Sequence, residues 1–341
     1  MGDLHIRIEG RAGRITLARP QALNALSRAM IAAIDAALVA WRDAPEVALL
    51  LIDAEGERAF CAGGDIAEIY ETGRRGDFAY GRAFWAEEYR LNARIALWPK
   101  PVVVLAQGFV MGGGVGIAGH AQFRVVGETS RIAMPECGIG LVPDVGGSDL
   151  LARAPGRLGE YLGLTGHRMD AAEAIECGFA DFFVPERSWS MLARDLCRLG
   201  DPAAILDHRA SPGPAGLLAV REAIDDAFSA PDLATLAVRL EASDWGHGVL
   251  RELRRRSPIA MACTLATIRA ARAAPGVVAA LTREYRFSAR ACSHGDMLEG
   301  IRAAIIDKDR NPQWQGALDR VPEAEIAAML APLGDGELRL T

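Results

Sequence analysis

The chain has 341 residues, half of them hydrophobic and 24% charged, with a formal net charge of −6. That is enough for one large α/β domain, or for a domain of about 200 residues with an appendage. The acidic balance gives nucleic-acid binding no electrostatic support, and no apolar run approaches the length of a membrane span.

The six cysteines show neither C-x-x-C nor metal-ligand spacing and fit reduced thiols. The opening MGDLHIRIEG has no signal-peptide pattern, so a cytoplasmic protein is expected. Residues 4–9 and 14–17 alternate like strands around a glycine-bounded turn, which predicts a hairpin. Ser27 stands where a helix N-cap should, and Met30, Ile34, Leu38 and Trp41 keep helical spacing behind it. Residues 47–53 form a continuous apolar run, expected of a strand covered on both faces. The loop 54–64 ends in CAGGD, and a helix is expected from about Asp65. A longer amphipathic helix is predicted over 77–98, with Phe84, Leu91, Ile95 and Trp98 on one face. Glu88 lies near that apolar face, an odd place for a solvated charge.

A buried strand over 101–107 leads to three consecutive glycines, Gly112, Gly113 and Gly114. A short helix follows, then a second strand–helix unit carrying Glu136 and Asp144. Glycines ahead of a helix expose backbone N–H groups that no Cβ shields, at the positive end of the helix dipole. CAGGD is a second such turn. Either alone reads as a tight turn; the pair, each after a strand and before a helix, predicts an anion or oxyanion site. Strand–turn–helix units continue to about Val184, matching a parallel sheet with crossover helices. From about Glu186 strand signals fade, Pro202, Pro212, Pro214 and Pro231 break the chain into short helices, and longer helices fall at 262–274 and 277–291. The predicted architecture is an α/β core over 1–185 and a helical C-terminal region over 186–341.

FCAGGDI (60–66), EEYRLN (87–92), KP (100–101), MGGGVG (111–116), QFRV (122–125), MPE (134–136) and GLVPDVGG (140–147) are followed by EYR (284–286), EGIRA (299–303) and IDKDRNPQW (306–314). In that order they resemble the enoyl-CoA hydratase/isomerase, or crotonase, superfamily, and within it the 3-hydroxyisobutyryl-CoA hydrolase branch, over most of the chain. The resemblance implies a crotonase-like spiral of ββα units. It implies that the N–H groups of Gly64 and Gly113 form an oxyanion hole, where losing one donor costs about 3–4 kcal/mol. Glu136 takes the place of the catalytic glutamate, as general base or nucleophile. Asp144 stands where hydratases have an uncharged small residue and marks the hydrolases. Two nearby carboxylates push their pKa values apart, so that one donates a proton while the other accepts. Asp144 is therefore expected to bind the substrate's 3-hydroxyl, to assist departure of the CoA thiolate, or both. Glu88 is expected to line the acyl pocket. Gly116 occupies the place of the hydratases' second glutamate, which leaves hydration without half its acid–base pair.

Plainer structural roles compete: a first-turn helix glutamate for Glu136, an N-cap for Asp144, a salt bridge to an arginine such as Arg90 for Glu88. His120 reads as a buried, hydrogen-bonded residue of an apolar helix. Lys308, with arginines, could meet CoA phosphates, although a helix-end charge cluster is the plainer reading. The implied reaction is hydrolysis of a short branched 3-hydroxyacyl-CoA thioester, 3-hydroxyisobutyryl-CoA of valine catabolism before 3-hydroxypropionyl-CoA, with no metal or redox cofactor. The alternative is an enoyl-CoA isomerase or hydratase; a non-catalytic acyl-CoA- or RNA-binding relative is a third reading. Superfamily members often form trimers or pairs of trimers, so a homo-oligomer is one expectation and a trimer surface covered by the C-terminal helices the other.

Overall fold

The computed structural model describes residues 2–340. The chain opens on the expected hairpin, β1 (Leu4–Glu9) paired antiparallel with β2 (Ala12–Leu17). Its turn is tighter than the alternation suggested, because Gly10 adopts φ 58° and lets β2 begin two residues early. Ser27 caps α1 (Arg28–Trp41), its hydroxyl accepting the Met30 amide hydrogen at 3.2 Å, and Met30, Ile34, Leu38 and Trp41 are all buried. Next come β3 (Leu49–Ala54), β4 (Ala59–Cys61), α2 (Ala67–Gly73) and α3 (Ala79–Ala96). Asp65 lies ahead of α2, where it pairs with Arg19 at 2.8 Å. The glycine-rich stretch contributes β5 (Val102–Leu105), β6 (Phe109–Met111), α4 (Gly113–Ala118), β7 (Phe123–Val126) and β8 (Arg131–Ala133). Then follow α5 (Gly147–Arg153), α6 (Leu158–Thr165), α7 (Ala171–Glu176), the last strand β9 (Phe182–Phe183) and α8 (Trp189–Leu199). The rest is helical: α9 (Arg221–Phe228), α10 (Leu233–Leu240), α11 (Asp244–Leu253), α12 (Pro258–Ala273), α13 (Val277–His294), α14 (Met297–Ile301) and α15 (Glu323–Leu330).

Two compact units interleave along the chain. The first comprises the chain up to Asp65, Glu87–Ala133 and Arg168–Gly216; the second comprises Ile66–Ala86, Met134–His167 and Leu217 onward.

Every strand belongs to the first unit. A six-stranded sheet runs β1-β2-β3-β5-β7-β9 and a three-stranded sheet runs β4-β6-β8, with all pairings after the hairpin parallel. From β3 onward, successive strands alternate between the two sheets, which is the spiral of ββα units. Because β3 and β5 are covered on both faces, they read as unbroken apolar runs rather than alternating ones. Leu49, Leu51, Val103, Leu105 and Val125 form one face and pack on Leu192, Ala193 and Leu196 of α8.

The second unit is built of helices. The Ser257 hydroxyl accepts the Ala260 amide hydrogen at 3.2 Å to start α12 and donates to Asp296 at 2.6 Å, tying α12 to the start of α14. α12 is buried along most of its length, against α5, α6, α13 and α15.

The Ser27 cap is local and testable. Ser27→Ala should lower unfolding stability by about 1 kcal/mol, read as a lower urea midpoint at unchanged slope.

Candidate active site

In the first unit the two glycine turns approach one another. Leu26 bridges to Gly64 in parallel register, its amide donating to Gly63 O at 2.9 Å and its carbonyl accepting from Asp65 N at 2.8 Å. In such a bridge the central residue's own N–H points to the opposite side, and for Gly64 that is toward α4. A Cβ built on Gly113 would lie 3.4 Å from Gly64 N. The triplet is not one loop: Gly112 makes the turn at φ 49°, while Gly113 and Gly114 already lie in the first turn of α4. First-turn amides have no intrahelical acceptor, so the Gly113 N–H is presented by the helix itself.

Glu88 faces the same space. Its Oε1 would be 2.3 Å from a Cβ on Gly113, so a side chain there would have to displace the Glu88 carboxylate. Glu88 is buried on α3 while Arg90 is exposed, and its neighbour Glu87 forms an ion pair with Arg28. Asn92, one helical turn on, is also fully buried, and neither of its side-chain amide atoms has a hydrogen-bond partner. The thiol of Cys61, just before Gly64, is pushed up to about 12 by burial, which keeps it from serving as a thiolate nucleophile.

Glu136 and Asp144 lie in the second unit, both buried. β8 stops at Ala133, and Glu136 lies beyond it, opening a 3-10 turn, Glu136–Ile139. Its neighbour Cys137 is held between Gly163 O at 3.4 Å and the Thr264 hydroxyl at 3.3 Å, and burial pushes that thiol up to about 12. The sulfur is therefore not a thiolate nucleophile at this turn. Asp144 does not cap α5. The N-cap is Gly146, and the amides of Gly146 and Ser148 instead donate to the Glu284 carboxylate of α13, at 2.7 and 2.8 Å.

A family model described as enoyl-CoA hydratase/isomerase matches residues 12–330. The chain belongs to the enoyl-CoA hydratase/isomerase family. Within that family it falls in the 3-hydroxyisobutyryl-CoA hydrolase branch. It is 38% identical to the mitochondrial 3-hydroxyisobutyryl-CoA hydrolase of Gallus gallus over 99% of this chain and 91% of that protein. It is 39% identical to the probable 3-hydroxyisobutyryl-CoA hydrolase 3 of Arabidopsis thaliana over 88% and 84%. A solved structure described as an enoyl-CoA hydratase from Rhodobacter sphaeroides 2.4.1 shares 54% identity and a TM-score of 0.94, covering 99% of this chain and all of that one.

Of two further features of this family member, Gly116 was legible through the resemblance and Glu284 was not legible as a site feature. Gly116 lies inside α4, buried, with its amide donating to Gly112 O at 3.1 Å. Glu284 carried a signal like that of Glu88, a charge on an apolar helix stripe beside Leu281, Phe287 and Ser288, but its partner is far away in sequence. His120 is buried just past the end of α4 rather than within it. Lys308 is exposed in a segment where Arg302 pairs with Glu299, Asp307 and Asp309, a helix-end charge cluster. Among the described residues no group of three His, Cys, Asp or Glu is placed to hold a metal, and no helix is long and apolar enough to cross a membrane.

Two outcomes follow from this geometry. Gly113→Ala should displace Glu88 and lower the turnover of acyl-CoA by about 10²-fold, the scale set by misplacing a site by 1 Å, with folding monitored by circular dichroism. The Glu284 carboxyl is pushed up from 4.5 to about 7, by burial first and by the Asp144 charge in addition, against the bonds from Ser148 and Gly146. Its folded pKa exceeds its unfolded one, so its contribution to stability is complete below pH 4.5 and is lost as pH rises through 7. Wild type should therefore gain on Glu284→Gln as pH falls from 7 to 5, by up to about 1.4 kcal/mol per unit, measured by urea unfolding at each pH.

Proposed function

We propose that this protein hydrolyses a short-chain 3-hydroxyacyl-CoA thioester, 3-hydroxyisobutyryl-CoA first, to the 3-hydroxy acid and CoA. The observation that carries the reading is the pairing of Asp144 with Gly116. Asp144 is a buried carboxylate to which a hydroxylated acyl chain would give a partner, and the family resemblance puts the buried Gly116 in the place of the hydratases' second glutamate. The names of the hydrolases from Gallus gallus and Arabidopsis thaliana point the same way.

In this reading the thioester oxygen accepts hydrogen bonds from the Gly64 and Gly113 amides as it gains charge, which stabilises the tetrahedral intermediate. Glu136 takes a proton from the attacking water, or itself attacks the carbonyl to give a mixed anhydride that water then opens. Collapse expels the CoA sulfur, which takes up the proton that the attacking water gave up, while the Asp144 carboxylate accepts a hydrogen bond from the 3-hydroxyl beside the leaving group. Glu88 lines the acyl pocket. The residues in these roles need no metal or redox cofactor. Hydrolysis of 3-hydroxyisobutyryl-CoA would be a step of valine breakdown, and the free thiols suit a reducing compartment such as the expected cytoplasm, while the printed name of the Gallus gallus relative places that protein in mitochondria.

A second reading, hydratase or isomerase, has the description of the Rhodobacter sphaeroides structure in its favour. One assay separates the two: release of free CoA thiol from 3-hydroxyisobutyryl-CoA, beside crotonyl-CoA and a 3-enoyl-CoA followed for loss or gain of the conjugated double bond. The expected result is thiol release from the hydroxyacyl substrate, lowered at least about 10²-fold by Glu136→Gln and by Asp144→Asn. Double-bond hydration or migration without thiol release would replace the hydrolase reading with the second one.

A further inference from the structure

The EYR segment of α13 has no part in the chemistry just described, yet its glutamate is built into the Asp144 turn. Asp144–Gly147 is closed by a hydrogen bond from Gly147 N to Asp144 O at 2.6 Å, with φ 54° at Val145 and 82° at Gly146. Positive φ at both central residues is the pattern of a type I′ turn, which glycine and asparagine favour and a β-branched residue disfavours. Val145 is fully buried, so the strain is held in place by its surroundings.

What holds it is Glu284. One oxygen, Oε2, accepts the Gly146 amide hydrogen at 2.7 Å, and the other, Oε1, accepts the Ser148 amide at 2.8 Å and the Ser148 hydroxyl at 2.5 Å. Both amides belong to the start of α5, which takes no cap from the Gly146 side chain position. The carboxylate is wholly buried, so every one of its strong bonds within this group goes to the turn and to Ser148. The next residues of the segment anchor α13 itself: the Tyr285 hydroxyl donates to Arg82 O at 3.2 Å, and Arg286 pairs with Glu337 at 2.6 Å.

We propose that Glu284 is a positioning residue for the thioester reaction, holding the Asp144–Gly147 turn in its left-handed conformation and so fixing the direction of the Asp144 carboxylate. The inference rests on the reading of Asp144 as a group that touches substrate. A glutamine at 284 keeps one acceptor but sets an NH2 group against one of the two amide donors, which releases one side of the turn. Loss of the Ser148 hydroxyl removes a single bond and leaves both backbone bonds in place.

The test measures kcat and KM for CoA release from 3-hydroxyisobutyryl-CoA, together with melting temperature, for Glu284→Gln, Ser148→Ala, Asp144→Asn and the Asp144→Asn/Glu284→Gln double variant. The expected result is a fall in kcat of about 10²-fold for Glu284→Gln and of a few-fold for Ser148→Ala, with KM within about twofold in both. The double variant should be no slower than Asp144→Asn alone, because both changes act through one group. Wild-type kcat in folded Glu284→Gln, or losses that multiply in the double variant, would overturn the proposal and leave Glu284 a structural residue. Should Glu284→Gln fail to fold, Ser148→Ala decides alone, and wild-type kcat there also overturns it. Wild-type kcat in Asp144→Asn would remove instead the reading of Asp144 on which the inference stands, whatever Glu284→Gln does.

Discussion

The amides that a helix leaves unpaired in its first turn are the constraint on which this molecule's chemistry depends. Two short helices, α4 and α5, begin at glycines with positive φ, and neither start is capped by the side chain of its own N-cap residue. Their fates differ. At α5 a buried carboxylate from α13 accepts the Gly146 and Ser148 amides and closes the turn. At α4 a Cβ on Gly113 would meet the Glu88 carboxylate, and the helix start faces a second backbone amide, that of Gly64, instead of a cap. A donor pair fixed in this way costs no reorganisation when negative charge develops on a bound oxygen, which is why such a pair outperforms water.

Local signals were readable from sequence wherever cause and effect lie within a few residues. The Ser27 cap, the apolar runs of β3 and β5, and the helix carrying Glu88 on its buried face all depend on neighbours along the chain. Asp144 shows the limit of that reasoning. An aspartate just ahead of a helix suits an N-cap, yet the acceptor for the α5 amides is Glu284, more than a hundred residues away. Capping preference says which residue types satisfy a helix start, not which segment supplies them. Glu136 lies beyond the end of β8, in a 3-10 turn that opens after Pro135. Membership of the family was legible because its motifs keep their order; the interleaving of two compact units was not, since no local pattern marks where the chain passes from one to the other.

Buried thiols narrow the chemistry further. A cysteine adjoins each turn, Cys61 before Gly64 and Cys137 after Glu136, and either could be mistaken for a nucleophile. Burial raises both thiols to about 12, and the neighbouring Glu88 and Glu136 charges push the same way. A thiol raised that far stays protonated near neutral pH and is not available as a nucleophile.

Substrate choice comes from the same balance. If the buried Asp144 touches the acyl chain as proposed, a ligand without a hydroxyl forgoes the hydrogen bond that its carboxylate would accept. An acyl chain with a hydroxyl at C3 offers a donor, whereas an unsubstituted or unsaturated chain of the same length offers only C–H groups. Sites built to bond a hydroxyl reject analogues that lack it far more strongly than apolar pockets reject an added methylene. On the proposed reading of Asp144, the selectivity belongs to its turn, and the left-handed Val145 is the strain that turn carries.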